Sequence, residues 1–303
     1  MDGFEGFTAA RHRVGITADG EPVEIFARQG GSGPPLLLLH GFPQTHAIWR
    51  RVARALAGEF TLVLADLRGY GDSTKPADAP GHANHAKRAM AADLVALMHS
   101  LGHPSFGLVG HDRGGRVAHR LALDHAERLT KLCVIDIAPT LDMYAATNFD
   151  FACAYYHWFH LIQPAPLPER MIEPDWRFYL HAKLGGWGGA GTPAHVEPAA
   201  LAEYERCFSA PGAIHAMCED YRASATIDLE HDRASRAAGA KVGCPLRVLW
   251  GARGVVARLF DPLALWQAQC AREVTGLALP AGHYIPEELP DETAAQVRLF
   301  FTK

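Results

Sequence analysis

Short apolar runs bounded by glycine or proline recur along the chain, and longer segments with helically spaced apolar positions lie between them. Read as strands, the runs fall at 24–28, 36–40, 62–66, 106–109, 132–136, 246–250 and 276–279. The intervening segments predict helices at 48–56, 90–101, 115–124, 262–270 and 291–301. Strands that alternate with helices predict a mainly parallel sheet covered by helices on both faces, an α/β fold. The alternation stops over 140–239, which holds aromatics and proline breaks such as Gln163-Pro164-Ala165-Pro166 but no strand pattern. Residues 1–139 and 240–303 are therefore expected to form the core, with 140–239 inserted as a helical cap over the carboxyl ends of the strands, where such sheets bind ligands.

Composition narrows the class of protein. With 303 residues, 49% of them hydrophobic, the chain can build one large core with an insertion. The net charge of −4, with no dense Lys/Arg cluster, argues against a nucleic-acid partner. No apolar run approaches the roughly 18 residues of a membrane helix, and the start has no signal-peptide pattern. Six scattered cysteines without a C-x-x-C pair fit reduced thiols and a cytoplasmic location.

Chemistry concentrates at Gly110-His111-Asp112-Arg113-Gly114, between the run Phe106-Gly107-Leu108-Val109 and a predicted helix. A strand passing through a glycine-flanked turn into a helix is the layout of a nucleophile elbow. Here the exposed side chain is a carboxylate. Attack by a carboxylate on an acyl carbon would give a reactive anhydride, whereas attack on an alkyl carbon gives an ester that water can cleave. Asp112 therefore predicts displacement at saturated carbon through a covalent ester.

The second step needs a base. Pro280-Ala281-Gly282-His283 follows the last predicted strand, and the order nucleophile, acid, histidine suits His283 as that base. The acid is commonly placed after the penultimate strand as W-G-x-x-D, yet this chain reads Trp250-Gly251-Ala252-Arg253-Gly254. Asp136, at the end of the preceding strand, supplies a carboxylate instead, although a strand-end Asp can also just cap a turn. His40-Gly41-Phe42-Pro43 follows another strand, so the amides of Phe42 and Arg113 are expected to form an oxyanion hole. Arg113 and Arg116 lie one helical turn apart. They are either salt-bridge partners of Asp112 or a fork for a substrate carboxylate. In the cap, Tyr156-His157-Trp158 and Tyr221 offer donors for a leaving anion, or plain packing.

Several of these segments resemble fluoroacetate dehalogenases of the α/β-hydrolase superfamily. They are His40-Gly41-Phe42-Pro43-Gln44, Gly110-His111-Asp112-Arg113-Gly114-Gly115-Arg116, His157-Trp158, Gln163-Pro164-Ala165-Pro166 and Cys218-Glu219-Asp220-Tyr221-Arg222-Ala223. The likeness extends over about 30–283, and 253–259 fits it less well. The resemblance implies an α/β-hydrolase fold with Asp112 as nucleophile and Asp136 and His283 completing a triad. It also implies that Arg113 and Arg116 hold the carboxylate of a small haloacid, and that His157, Trp158 and Tyr221 grip the departing fluoride. A homodimer without metal or cofactor is the family expectation. Competing readings are an epoxide hydrolase, using Tyr156 or Tyr221 as the acid, and a non-catalytic small-molecule receptor on the same fold. A haloalkane dehalogenase would carry Trp where Arg113 stands.

Overall fold

A computed structural model of the protein describes residues 3–187 and 192–302. Eight strands form one sheet: β1 Thr8–Ile16, β2 Pro22–Gly31, β3 Pro35–Leu39, β4 Thr61–Ala65, β5 Phe106–His111, β6 Leu129–Ile135, β7 Leu246–Gly251 and β8 Val274–Leu279. Their order across the sheet is β1-β2-β4-β3-β5-β6-β7-β8. The β1–β2 and β2–β4 pairings are antiparallel, and the five pairings from β4 to β8 are parallel.

Strands β3, β4 and β5 are buried almost throughout because both faces are covered. On β3, Leu36 and Leu38 pack in one layer, with Val52 and Leu56 of α1 (Arg50–Leu56) and Val297 of α15 (Pro290–Phe301). Leu37 and Leu39 pack in the opposite layer. There they join Leu94 of α2 (Lys87–Ser100), Val117 of α3 (Arg113–Asp124) and Trp266 of α13 (Pro262–Gln269). The remaining core helices are α12 (Val255–Leu259) and α14 (Ile285–Glu288).

Strand β1 has no counterpart among the sequence-based expectations. Its side chains are mostly exposed, so no alternation of buried positions marks it. It exists through backbone pairing with β2, as an edge strand carrying an irregularity between Arg13 and Gly15.

Between β6 and β7 the chain forms eight helices among the described residues: α4 Thr140–Ala145, α5 Phe149–Ala154, α6 Tyr156–Leu161, α7 Leu167–Ile172, α8 Trp176–Trp187, α9 Pro198–Phe208, α10 Ala213–Ala225 and α11 Ile227–Ala237. They occupy the segment expected from the sequence to form a helical cap. None of the described helices is long and apolar enough to cross a membrane.

The topology decides where ligands go. From β3 the chain moves to one neighbour, β4, and later to the other, β5, so the strand order reverses between β3 and β5. Leu39 pairs with Gly110 at that switch point. The segments that follow, His40-Gly41-Phe42 and Asp112, therefore emerge side by side at the carboxyl edge, where open α/β sheets bind ligands.

Candidate active site

Asp112 sits between β5 and α3 with φ 45° and ψ −114°. A non-glycine residue there stores strain on the order of 1–3 kcal/mol, held by the structure around it. Close approach of backbone explains the flanking glycines. A Cβ on Gly114 would stand 2.4 Å from the His40 carbonyl oxygen, and one on Gly110 2.6 Å from that of Gly114. On the facing turn, a Cβ on Gly41 would lie 2.6 Å from Asp112 Oδ1. The turn is so close that the Phe42 N–H donates to Asp112 Oδ1 at 2.9 Å. One carboxylate oxygen is thus anchored and Oδ2 is left to react. Arg113, whose amide was the second expected oxyanion donor, opens α3 directly after the nucleophile.

His40 holds the Phe42 turn in place. Its Nε2 accepts from the Leu67 N–H at 3.0 Å, so Nδ1 carries the proton and donates to the Gly41 carbonyl at 2.9 Å. Burial depresses the His40 pKa, in keeping with this neutral tautomer.

Asp136 follows β6, with φ 51°. Its Oδ2 lies 2.6 Å from His283 Nδ1, and its Oδ1 accepts from the Gly251 N–H at 2.9 Å. His283 Nε2 then faces Asp112 Oδ2 at 3.9 Å. Burial by itself would depress the His283 pKa, but the hydrogen bond and charge of Asp136, helped by Asp112, outweigh it and raise the pKa. Burial pushes the Asp112 carboxyl up. His283 and Arg116 more than cancel this, and its pKa ends below the ordinary value. Gly254, where the acid of a W-G-x-x-D motif would stand, belongs to the same spot. A Cβ there would be 3.5 Å from each oxygen of the Asp136 carboxylate.

The two arginines are not equivalent. Arg113 donates from Nε to Asp220 Oδ2 at 2.7 Å and from Nη2 to Asp220 Oδ1 at 2.8 Å. Its Nη2 also reaches the Asp220 carbonyl at 2.9 Å, and Nη1 reaches Ser224 Oγ at 3.3 Å. Of its five N–H groups only one remains. Arg116, 4% exposed, has no carboxylate within ion-pair distance among the described residues. Its Nη1 donates to Thr140 Oγ1 at 2.9 Å, and its Nη2 touches Met143 Sδ at 3.3 Å. Its Nε has no partner. Of the side edge formed by Nε and Nη2, which Arg113 spends on Asp220, Arg116 leaves Nε without a partner. Of the two arginines expected either to pair with Asp112 or to hold a substrate carboxylate, Arg113 is paired with Asp220 and Arg116 is held by Thr140.

The cap aromatics gather around these groups. Arg116 Cζ lies 4.7 Å from the Trp158 ring centroid, and Arg113 Cζ 4.2 Å from that of Tyr221. The His157 ring lies parallel to Phe42 at 5.9 Å, and Tyr221 stands edge-on to both at 5.3 and 5.5 Å. His157, Trp158 and Tyr221 are all buried. Burial pushes the His157 imidazole well below its usual pKa, so it is neutral at pH 7 with a single N–H. Tyr156, the other phenol considered from sequence, is 48% exposed, with Lys183 Nζ 3.6 Å from its ring centroid.

Sequence reasoning missed the supports. Glu288 accepts from the N–H groups on both sides of His283, Gly282 at 2.7 Å and Tyr284 at 3.0 Å. His111 Nε2 donates to the His283 carbonyl at 2.9 Å, its pKa pushed by burial down to about 3. Tyr155 stacks on Trp158 at 5.8 Å and meets His157 edge-on at 5.5 Å. Position within the motif could have flagged His111. Nothing in the sequence marks Glu288, because its role depends on a turn formed in three dimensions.

An aspartate elbow, a strand-end acid and a loop histidine on this sheet define an α/β hydrolase, and the chain belongs to that enzyme family. Residues 34–288 match the alpha/beta hydrolase fold. Within the family its kinship is with the fluoroacetate dehalogenases. The fluoroacetate dehalogenase of Burkholderia sp is 46% identical over 299 residues, 99% of this chain and 95% of that protein. The soluble epoxide hydrolase of Corynebacterium sp. (strain C12) is 34% identical over 275 residues, 89% and 91% of the two chains. A solved α/β hydrolase structure from Nostoc sp PCC 7120 superposes with a TM-score of 0.93 at 50% identity, with 99% of each chain covered.

Proposed function

We propose that the enzyme hydrolyses the carbon–halogen bond of small 2-haloacids, converting fluoroacetate to glycolate and fluoride. One observation carries this reading. Arg116 is a buried cation with no carboxylate within ion-pair distance among the described residues, its charge balanced only at longer range by Asp112, and with the Nε of its Nε–Nη2 edge unpartnered, on the helix that begins beside Asp112. A buried unpaired charge is costly, and a carboxylate matches that edge with two charge-assisted hydrogen bonds. Arg113 has one further N–H to add. A two-carbon haloacid held this way presents its α-carbon to Asp112 Oδ2.

Asp112 Oδ2 then forms a bond to the α-carbon as the carbon–halogen bond breaks, and the electron pair leaves with the halide. His157, Trp158 and Tyr221 are the donors proposed to receive it, and three donors suit fluoride, which is small and accepts strongly. Oδ1, already on the Phe42 N–H, becomes the ester carbonyl oxygen. His283 Nε2 next takes a proton from water, and the hydroxide adds to the ester carbon. The Phe42 and Arg113 amides stabilise the oxyanion. Collapse frees Asp112, and the proton held by His283 passes to the departing glycolate oxygen. A second proton, from ionisation of the new carboxyl oxygen at Asp112, goes to solvent.

Tyr155 and Tyr221 are two phenols whose ionisation burial disfavours, with Asp112 adding to it, and an epoxide hydrolase would use such a pair to protonate the opening ring. Arg116 decides against that reading, because a neutral epoxide offers no charged acceptor to its unpartnered Nε. The test is halide release from fluoroacetate and chloroacetate, followed with ion-selective electrodes in the presence of chelator, with glycolate quantified by chromatography. Stoichiometric glycolate and halide are expected. Turnover of styrene oxide with no halide from either acid would overturn the reading.

A further inference from the structure

Behind Arg113 lies a second layer of charge that the reaction as written does not use. Asp220 is fully buried and accepts from four donor groups: Arg113 Nε and Nη2, the Tyr70 hydroxyl at 2.6 Å, and Lys87 Nζ. Lys87 is itself buried, and its Nζ lies 3.6 Å from Asp228 Oδ2 while its backbone N–H donates to Asp228 Oδ1 at 2.8 Å. Arg113 and Lys87 against Asp220 and Asp228 make a cluster of zero net charge. Arg116, on the same helix, is outside it. Buried charge is expensive, so a closed neutral cluster around one arginine, with the other left unpaired, is a division of labour that packing alone does not require.

We propose that Asp220, backed by Lys87, is a positioning residue that sets the anion affinity of the site. It holds Arg113 as an oriented donor without net charge and leaves the positive charge to Arg116. The reaction gives the logic. Each turnover produces two anions, a halide and a 2-hydroxy acid, where one anionic substrate entered. Two uncompensated guanidinium groups would retain both products, whereas one suffices to bind the substrate. This inference rests on the haloacid reading of the same site.

The experiment uses Asp220→Asn, which preserves shape and removes one negative charge, with acetate as a non-reacting carboxylate probe in titration calorimetry. A unit charge uncovered within several ångströms, at an effective dielectric constant of about 20, tightens anion binding roughly tenfold or more. Acetate should therefore bind at least about tenfold more tightly to the variant, glycolate inhibition should strengthen in parallel, and kcat and KM for fluoroacetate should both fall. In Lys87→Met/Asp220→Asn, which removes one charge of each sign, acetate affinity should return to within about threefold of the parent. A residue that only scaffolds the cap would not show this rescue. Acetate bound by folded Asp220→Asn no more tightly than by the parent overturns the proposal. If that variant does not fold, Lys87→Met alone decides: weaker acetate binding supports the proposal and unchanged binding overturns it. Failure of the haloacid reading is separate, because it shows as absent halide release by the parent, whatever the order of acetate affinities.

Discussion

Replacing Arg116 by methionine keeps most of the side-chain volume and removes the charge, and two opposite effects should follow. The substrate carboxylate loses two charge-assisted hydrogen bonds from the Nε–Nη2 edge. At about 1.5–3 kcal/mol each, the loss of roughly 3–6 kcal/mol corresponds to a fall in kcat/KM of about 10²–10⁴-fold. The fold, by contrast, sheds a buried cation that has no carboxylate partner and an unsatisfied Nε. It loses in exchange the bond to Thr140 Oγ1, a long one from Nη1 to the Ala138 carbonyl at 3.4 Å and the Nη2 contact with Met143 Sδ, together on the order of 3 kcal/mol. Relief of the desolvated charge exceeds that loss, so the melting temperature should rise, by about 2–4 °C for each kcal/mol gained. Halide-electrode kinetics on fluoroacetate and differential scanning fluorimetry measure the two quantities on one preparation. A variant that melts lower while its kcat/KM stays within about threefold of the parent would assign Arg116 to the scaffold and refute the reasoning.

Three further outcomes test the remaining groups. His283→Asn should release about one halide per active site and then stall, with the added mass on the peptide containing Asp112. An adduct elsewhere, or free turnover, contradicts the two steps. If deprotonated His283, whose pKa is raised, is the base as proposed, steady-state turnover of the parent enzyme should increase with pH through an inflection above 6.5. Asp112 stays ionised below its usual range, so a single-turnover halide burst should survive at pH 5 after steady turnover has faded. Loss of burst and turnover together would contradict that order. Finally, Asp136→Asn should depress turnover by orders of magnitude, and adding Gly254→Asp should restore at least about tenfold, because position 254 has φ −81° and adjoins the Asp136 carboxylate. No restoration would show that a carboxylate from position 254 does not orient His283.

Much of the architecture was legible from local pattern. Apolar runs with both faces buried mark β3 to β7 wherever they fall, and glycine-flanked Asp112 between a strand and a helix declares its turn without any partner. Strand β1 was illegible for the converse reason, since an edge strand with exposed side chains is held by backbone hydrogen bonds, which any residue type supplies. Asp136 could be picked out by elimination once Gly254 occupied the usual acid position, because both possibilities lie at strand ends.

Chemistry of residue types, set by the chain itself, determined that an aspartate nucleophile, a late histidine and two arginines would be available. Which hydrogen-bond donors remained free was decided only in the tertiary structure. Arg113 and Arg116 are equal in sequence, three residues apart on one helix, and become unequal because Asp220, more than a hundred residues away, closes on the first alone. A donor is free or spent according to what packs against it, and packing is a property of the whole fold. The same holds for Tyr155 and Tyr156, adjacent phenols of which one is buried against Trp158 and the other lies half exposed against the buried Lys183 ammonium.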